Sequence, residues 1–476
     1  MEIKHRDPNS EPNKPFAKSS TGTEWFADSL LGLVQNSDIG CTVALNGSWG
    51  TGKTTFLKMW RQYMANKGYK TVYLNAWETD WAEDPLIAIL ACVSDACLDN
   101  SSKNETLNQL KTFARNFKKA PTSILIPIAK AIVQGGTNVD LSEIQEQTAA
   151  LSDKAFDSAI SSFNSKEQSM AKFKESLEKL AWNSNQGDNT SEPKSLVFII
   201  DELDRCKPDY AVRMLEVLKH LFSVPNIFFI CGVDRKHIED SIRGYYGSDR
   251  LDATEYLRRF FDIEVDLPAP DYKKFCQHLY DYYSYDTFYD TDERHRAGCR
   301  QDEENSFVNF FYKLALRKGL TLRQLERIFA FTRLALTNKR PEESMHIELT
   351  IFMTFLKFFD NGFYEDLEQH RLKPQEVIDR FVETYSQYMD DSRPEYHSNN
   401  LRRDMLFLIS LLLVSYANNN EYDDKVYDLS KKEALVTCSY FGKEELDKAF
   451  ECISMTCSHY MLTNLFKMLR LYNINQ

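Results

Sequence analysis

The octapeptide Gly47-Ser48-Trp49-Gly50-Thr51-Gly52-Lys53-Thr54 constrains the fold more than any other part of the chain. Its G-x-x-x-x-G-K-T spacing follows a short apolar run, Cys41 to Leu45, and opens a helical stretch near Lys53. That is the strand–loop–helix setting a phosphate cradle requires. Gly47, Gly50 and Gly52 permit positive φ angles that turn backbone N–H groups inward. The next helix aims the positive end of its dipole at the same point. Lys53 supplies a mobile charge for β- and γ-phosphates and Thr54 a hydroxyl for Mg²⁺, while Ser48, Trp49, Thr51 and Thr55 complete the nucleotide-binding stretch.

Such a loop needs a carboxylate from a neighbouring strand. The run Ser195 to Ile200 is apolar on consecutive residues, as central parallel strands covered on both faces are, and it delivers Asp201-Glu202-Leu203-Asp204-Arg205-Cys206. Asp201, at the carboxyl end where ligands of open α/β sheets bind, is the candidate Mg²⁺ carboxylate. Glu202, one residue on, is placed to orient or deprotonate an attacking water. Asp204 either shares the metal shell or pairs with Arg205. After the next apolar strand, Asp234 either contacts the γ-phosphate or attacking water or is a structural turn residue. Arg258 and Arg259 either reach the γ-phosphate of a neighbouring subunit or form internal salt bridges.

Strands expected at 41–46, 71–75, 195–200, 227–231 and 261–265 alternate with helices at 53–66, 85–98, 208–223 and from Lys236, and a further helix over 23–34 packs beside the first strand. This pattern predicts a doubly wound, mostly parallel α/β sheet. The core comprises 23–98 and 195–270. Residues 1–22 form a loose arm, and 99–194, which lack a strand pattern, a helical insertion. From Asp271 onward no strand pattern persists, so an all-α region follows. There the phenylalanines at 352, 355, 358 and 359 and the run 406–414 fit core helices.

At 476 residues the chain suits two or three domains. A net charge of −12 argues against a general nucleic-acid or anionic-membrane binder, leaving room for a local basic patch. Ten cysteines without CxxC spacing suit buried reduced thiols and a cytoplasmic setting. The apolar run 124–133 contains Pro127 and Lys130, and 405–417 is about one third short of a spanning length, so no transmembrane segment is expected, with peripheral attachment left open.

The loop GSWGTGKTTFL, the LNAWE of Leu74–Glu78 and the IIDELDRC of Ile199–Cys206 together resemble the KAP P-loop NTPases over about residues 15–335. The resemblance implies an ATPase core related to the STAND and AAA+ branches, using ATP and Mg²⁺ and working as a homo-oligomeric switch. Members commonly carry membrane-spanning helices where this chain has its insertion, whose apolar run is too short to span. Gly319–Arg327 is similar to the lid motif of related NTPases, which implies a helical lid over 271–342 with Arg323 contacting phosphates. Arg258 and Arg259 are placed similarly to an arginine finger. Bacterial members are linked to phage defence, which implies that setting here. Residues 343–476 are then a C-terminal helical domain suited to a protein effector. The leading expectation is an ATP-hydrolysing switch; the alternative is a nucleotide-gated scaffold with little turnover.

Overall fold

Five short segments pair as a parallel sheet: the central three, 42–46, 196–201 and 227–233, present consecutive buried side chains that helices cover on both faces, and the edge segments 71–75 and 263–266 alternate in exposure. The computed structural model describes residues 14–16, 21–36, 40–82, 84–96, 195–221, 224–289, 311–316, 318–337, 347–386, 399–417, 425–454 and 461–470, with isolated positions at 171, 174, 175, 177, 178 and 308. The predicted insertion over 99–194 therefore lies almost wholly outside the described residues. The chain forms two units, divided between Pro268 and Ala269.

In the first unit the elements run α1 (Glu24–Gln35), β1 (Thr42–Asn46), α2 (Lys53–Asn66), β2 (Thr71–Asn75), α3 (Pro85–Ala96), β3 (Leu196–Asp201), α4 (Pro208–Leu221), β4 (Ile227–Val233), α5 (Arg235–Tyr246), α6 (Ala253–Leu257) and β5 (Ile263–Asp266). The strand order is β2-β3-β4-β1-β5, with every adjacent pair parallel. Alternation along the strands sorts the core into two layers. Val43, Leu45, Val197, Ile199, Phe228 and Ile230 pack with α1 and α2. Leu196, Phe198, Ile200, Phe229 and Cys231 pack with α3, α4 and α5. Phe16, from the predicted loose arm, is buried in the first layer with its ring 5.9 Å from that of Phe56.

The bounds of β1, β3, β4 and β5 each differ from the sequence reading by one or two residues, and two of these shifts have a visible cause. β4 continues to Val233, past Cys231, because β1 carries it along through Asn46↔Val233 pairing. β5 begins at Ile263 and not Phe261. Before it, the Asp262 carboxylate accepts from the Thr42 N–H at 2.9 Å and the Thr42 hydroxyl at 2.7 Å, a side-chain clasp that starts the edge strand.

The second unit, Ala269–Gln476 in its main part, contains α7 (Tyr272–Tyr282), α8 (Tyr285–Tyr289), α9 (Leu322–Thr337), α10 (Ile347–Phe359), α11 (Asn361–Glu368), α12 (Pro374–Tyr385), α13 (Asn399–Ala417), α14 (Lys443–Ser454) and α15 (Met461–Arg470). Phe352 and Phe355 are fully buried, and the Phe352 ring lies 5.6 Å from Phe381 and 5.5 Å from Tyr385. Against the expectation of an all-helical remainder, β6 (Tyr427–Asp428) and β7 (Glu433–Ala434) form a small antiparallel pair. Two residues per strand are too few to register as a period in the sequence. Among the described residues no helix is long and apolar enough to cross a membrane.

Candidate functional site

Parallel pairing puts the carboxyl ends of β1, β3 and β4 along one edge of the sheet, and the register decides what meets there. Leu45 pairs with Gly232, Ile200 pairs with Cys231, and Asn75 pairs with Asp201. The loop after β1, the acidic run after β3 and Asp234 after β4 therefore emerge together, at the end of the sheet where open α/β folds take ligands.

The loop's geometry follows from its glycines, with one correction. Gly50 and Gly52 have φ of 81° and 95°, in the left-handed region, and Gly52 caps α2 in that conformation. Gly47 does not need positive φ. A Cβ there would lie 3.0 Å from Thr51 Oγ1 and 3.2 Å from Lys53 Cγ, so its role is close approach. Ser48 O accepts from both the Thr51 hydroxyl at 2.7 Å and, at 3.4 Å, the Lys53 ammonium, which also donates to Gly47 O. Lys53 is buried, and loss of hydration pulls its ammonium below the ordinary lysine range despite the opposing pull of Asp204 and Asp234.

Four carboxylates face this loop: Asp201, Glu202, Asp204 and Asp234, all buried. Asp201 Oδ1 accepts from the Glu202 N–H at 2.9 Å and Oδ2 from the Tyr73 hydroxyl at 2.8 Å. Burial raises its carboxyl above the usual carboxylate range, with the Glu202 charge adding to the rise, and these hydrogen bonds and one from Thr54 oppose it. Glu202 takes φ +59°, which a non-glycine residue adopts only at a cost of order 1 kcal/mol. That turn aims its carboxylate at three donors. Oε1 meets Arg205 Nη1 at 2.7 Å and the Thr54 hydroxyl at 3.4 Å, and Oε2 accepts from Asn75 Nδ2 at 3.1 Å.

The alternatives left open for Asp204 resolve partly. Arg205 pairs with Glu202, not Asp204, because the 3₁₀ turn Leu203–Arg205 brings residue 205 back over residue 202. Asp204 Oδ2 instead accepts from the indole N–H of Trp49. Asp234 accepts from the Trp49 backbone N–H at 3.2 Å and meets His237 Nδ1 at 3.0 Å, and the His237 ring stacks on Trp49 at 3.8 Å. Trp49 thus joins the loop to both acidic segments.

The remaining predicted residues lie elsewhere. Thr55 follows Thr54 on α2, half-buried. Arg258 and Arg259 are exposed just after α6, where Arg258 forms an ion pair with Glu255 at 2.9 Å. Arg259 has no ion-pair partner among the described residues. Arg323 is exposed on α9 of the second unit. Tyr73, Asn75 and His237 carried no chemical signal individually, although Asn75 lies within the LNAWE run.

The residues present fit a Mg²⁺–nucleotide complex. Four buried carboxylates against Lys53 and Arg205 leave a surplus of negative charge, Asp204 Oδ1 is buried without a hydrogen-bond partner, and hydroxyl and carboxylate oxygens are the hard donors that magnesium prefers.

A parallel 2-3-4-1-5 sheet with a phosphate loop after its first strand and an acidic run after its third defines a P-loop NTPase. More narrowly, the chain belongs to the KAP family: the model of the KAP family P-loop domain matches residues 24–335. No curated protein matches the sequence. Among solved structures, the chain is similar to the ORC2 protein of Aeropyrum pernix in its ADPNP–ADP complexes. That likeness is 12% identical, covers 91% of this chain and 95% of that one, and has a TM-score of 0.32, too weak to carry an argument.

Proposed function

We propose that the chain binds Mg-ATP at the loop Gly47–Thr55 and hydrolyses it, and that turnover drives a switch between assembled and separate copies. The observation that supports this best is the meeting of Lys53, Thr54, Asp201 and Glu202 around one strand edge, with Thr54 within 3.4 Å of Glu202. Loop N–H groups and Lys53 would hold the β- and γ-phosphates, and Thr54 and Asp201 would hold Mg²⁺, which when bound would neutralise charge developing on the phosphate oxygens. Glu202 takes the proton of a water as the water oxygen bonds to the γ-phosphorus and the bond to the ADP oxygen breaks. Asp234 fixes the loop through Trp49 and His237. Exposed Arg258 and Arg259 are suited to a neighbouring copy's γ-phosphate, and Arg323 to reporting the bound state. Family membership supports phage defence as the setting and the helical unit as the effector contact.

Phosphate release by the purified chain tests the reading. Lys53→Ala should abolish nucleotide binding, while Glu202→Gln should retain binding and lose roughly 10²–10⁴ in turnover. Parental turnover in Glu202→Gln would refute the base assignment. Sizing with a slowly hydrolysed ATP analogue tests assembly.

One observation favours a second reading, a nucleotide-gated scaffold with negligible turnover. Glu202 is held by both Arg205 and Asn75, and a base engaged by a guanidinium has fewer lone pairs free for water. Nucleotide binding without phosphate release would decide for it.

A further inference from the structure

Resting on the Mg-nucleotide reading above, we propose that Tyr73 is a positioning residue for the metal-binding carboxylate: its hydroxyl holds Asp201 in the one orientation that leaves an oxygen lone pair toward Thr54. Three observations carry this. First, the sheet register puts Tyr73 opposite Ile199, on the edge strand beside the one that ends in Asp201, and its hydroxyl reaches Asp201 Oδ2 at 2.8 Å. Second, Asp201 Oδ1 is already engaged by the Glu202 N–H at 2.9 Å. With one donor on each oxygen the carboxylate cannot rotate without losing a bond, and a fully buried carboxylate has no water to replace it. Third, the Tyr73 ring is covered on one face by Arg61, whose Cζ lies 5.5 Å from its centroid. A phenol is ordinarily protonated at neutral pH, so the hydroxyl acts toward the Asp201 carboxylate as a donor.

This arrangement matters because partners of metal ligands set ligand orientation, and their loss commonly costs 10–100-fold in metal affinity. A neutral donor suits the task. It fixes Asp201 without competing with the cation for its charge, as a lysine or arginine at position 73 would.

The test separates orientation from packing. Nucleotide affinity is measured in EDTA, and Mn²⁺ affinity of the protein–nucleotide complex is then measured by the loss of the free-Mn²⁺ electron paramagnetic resonance signal. Tyr73→Phe is expected to bind nucleotide in EDTA within about 2-fold of the parent and to bind Mn²⁺ about 10-fold or more weakly. Tyr210→Phe removes a comparable buried hydroxyl, one paired with Thr79 at 3.1 Å and away from Asp201. It should leave Mn²⁺ affinity unchanged. Should Tyr73→Phe fail to fold, 4-methylphenylalanine at position 73 fills the hydroxyl's space without donating, and the same loss is expected. Parental Mn²⁺ affinity in a folded Tyr73→Phe or 4-methylphenylalanine chain overturns the inference. A parent that binds no Mn²⁺ in the presence of nucleotide would instead overturn the Mg-nucleotide reading itself.

Discussion

Asn75 Nδ2 lies 3.1 Å from Glu202 Oε2 and 3.0 Å from Glu78 Oε1, so one amide at the end of β2 ties the acidic run of β3 to the turn that follows its own strand. The Asn75 carbonyl oxygen accepts from the N–H groups of Trp77 and Glu78, which fixes the amide's orientation. Without Asn75, Arg205 would draw the Glu202 carboxylate to one side. Asn75→Ala is therefore expected to lower kcat about 10-fold while KM for ATP stays within about 2-fold, the pattern of a lost orientation and not of lost binding. Steady-state phosphate release checks it, and a purely KM effect would contradict it.

Gly232 sits where a side chain would collide. A Cβ would fall 2.7 Å from Leu57 Cδ1 and 3.1 Å from Asp201 Oδ1. Gly232→Ala should destabilise the fold by about 1–3 kcal/mol through overpacking and displace Asp201. Urea denaturation would register the first effect. Weaker Mg²⁺-dependent nucleotide binding in calorimetry, with metal-free binding less affected, would register the second.

Trp49 is joined to Asp204 through its indole N–H and to His237 through its ring. Trp49→Phe retains a ring for stacking and removes the donor, leaving buried Asp204 with both oxygens short of partners. Loss of such a bond to a charged group is worth about 1.5–3 kcal/mol, and some of that cost should fall on the nucleotide-binding form of the loop. An affinity drop of about 5–20-fold is expected in a nucleotide titration, against a smaller change for His237→Ala, which leaves the Asp204 bond intact.

Glu445 supplies a pH-dependent contact in the helical unit. Arg402 first, and then the Gly442 N–H at 2.8 Å, hold its carboxyl well below the ordinary value of 4.5, at about 2. Because the folded value lies below the unfolded one, the stabilisation is present above about pH 4.5 and fades as pH falls toward 2. Both side chains are more than a third exposed, so solvent screening limits the effect to about 1 kcal/mol. Glu445→Gln should speed amide exchange along 443–454 at pH 7. Near pH 3 the difference from the parent should shrink.

The parallel α/β sheet could be anticipated because fully buried central strands must be apolar on every residue, as SLVFII is, and because a phosphate loop dictates what precedes and follows it; the strand order could not. Less legible were contacts whose donors are ordinary residues. Tyr73 in TVYLN reads as one more strand-forming aromatic, and only pairing with β3, at a separation of 128 residues, makes it the partner of Asp201. The pairing of Arg205 with Glu202 in place of Asp204 was likewise hidden, since it depends on a left-handed residue at 202 that sequence patterns do not favour.

By itself the sequence determined the phosphate loop, the acidic run after an apolar strand, and the alternation of strands and helices. Each of these is written in contiguous residues whose backbone and burial requirements are local. The tertiary structure alone decided which side chains hold those groups in place: Tyr73 on Asp201, Asn75 and Arg205 on Glu202, and Trp49 between Asp204 and His237. Those relationships arise from strand register and from side chains meeting across the sheet edge, where a shift of one residue would turn Tyr73 to the other face.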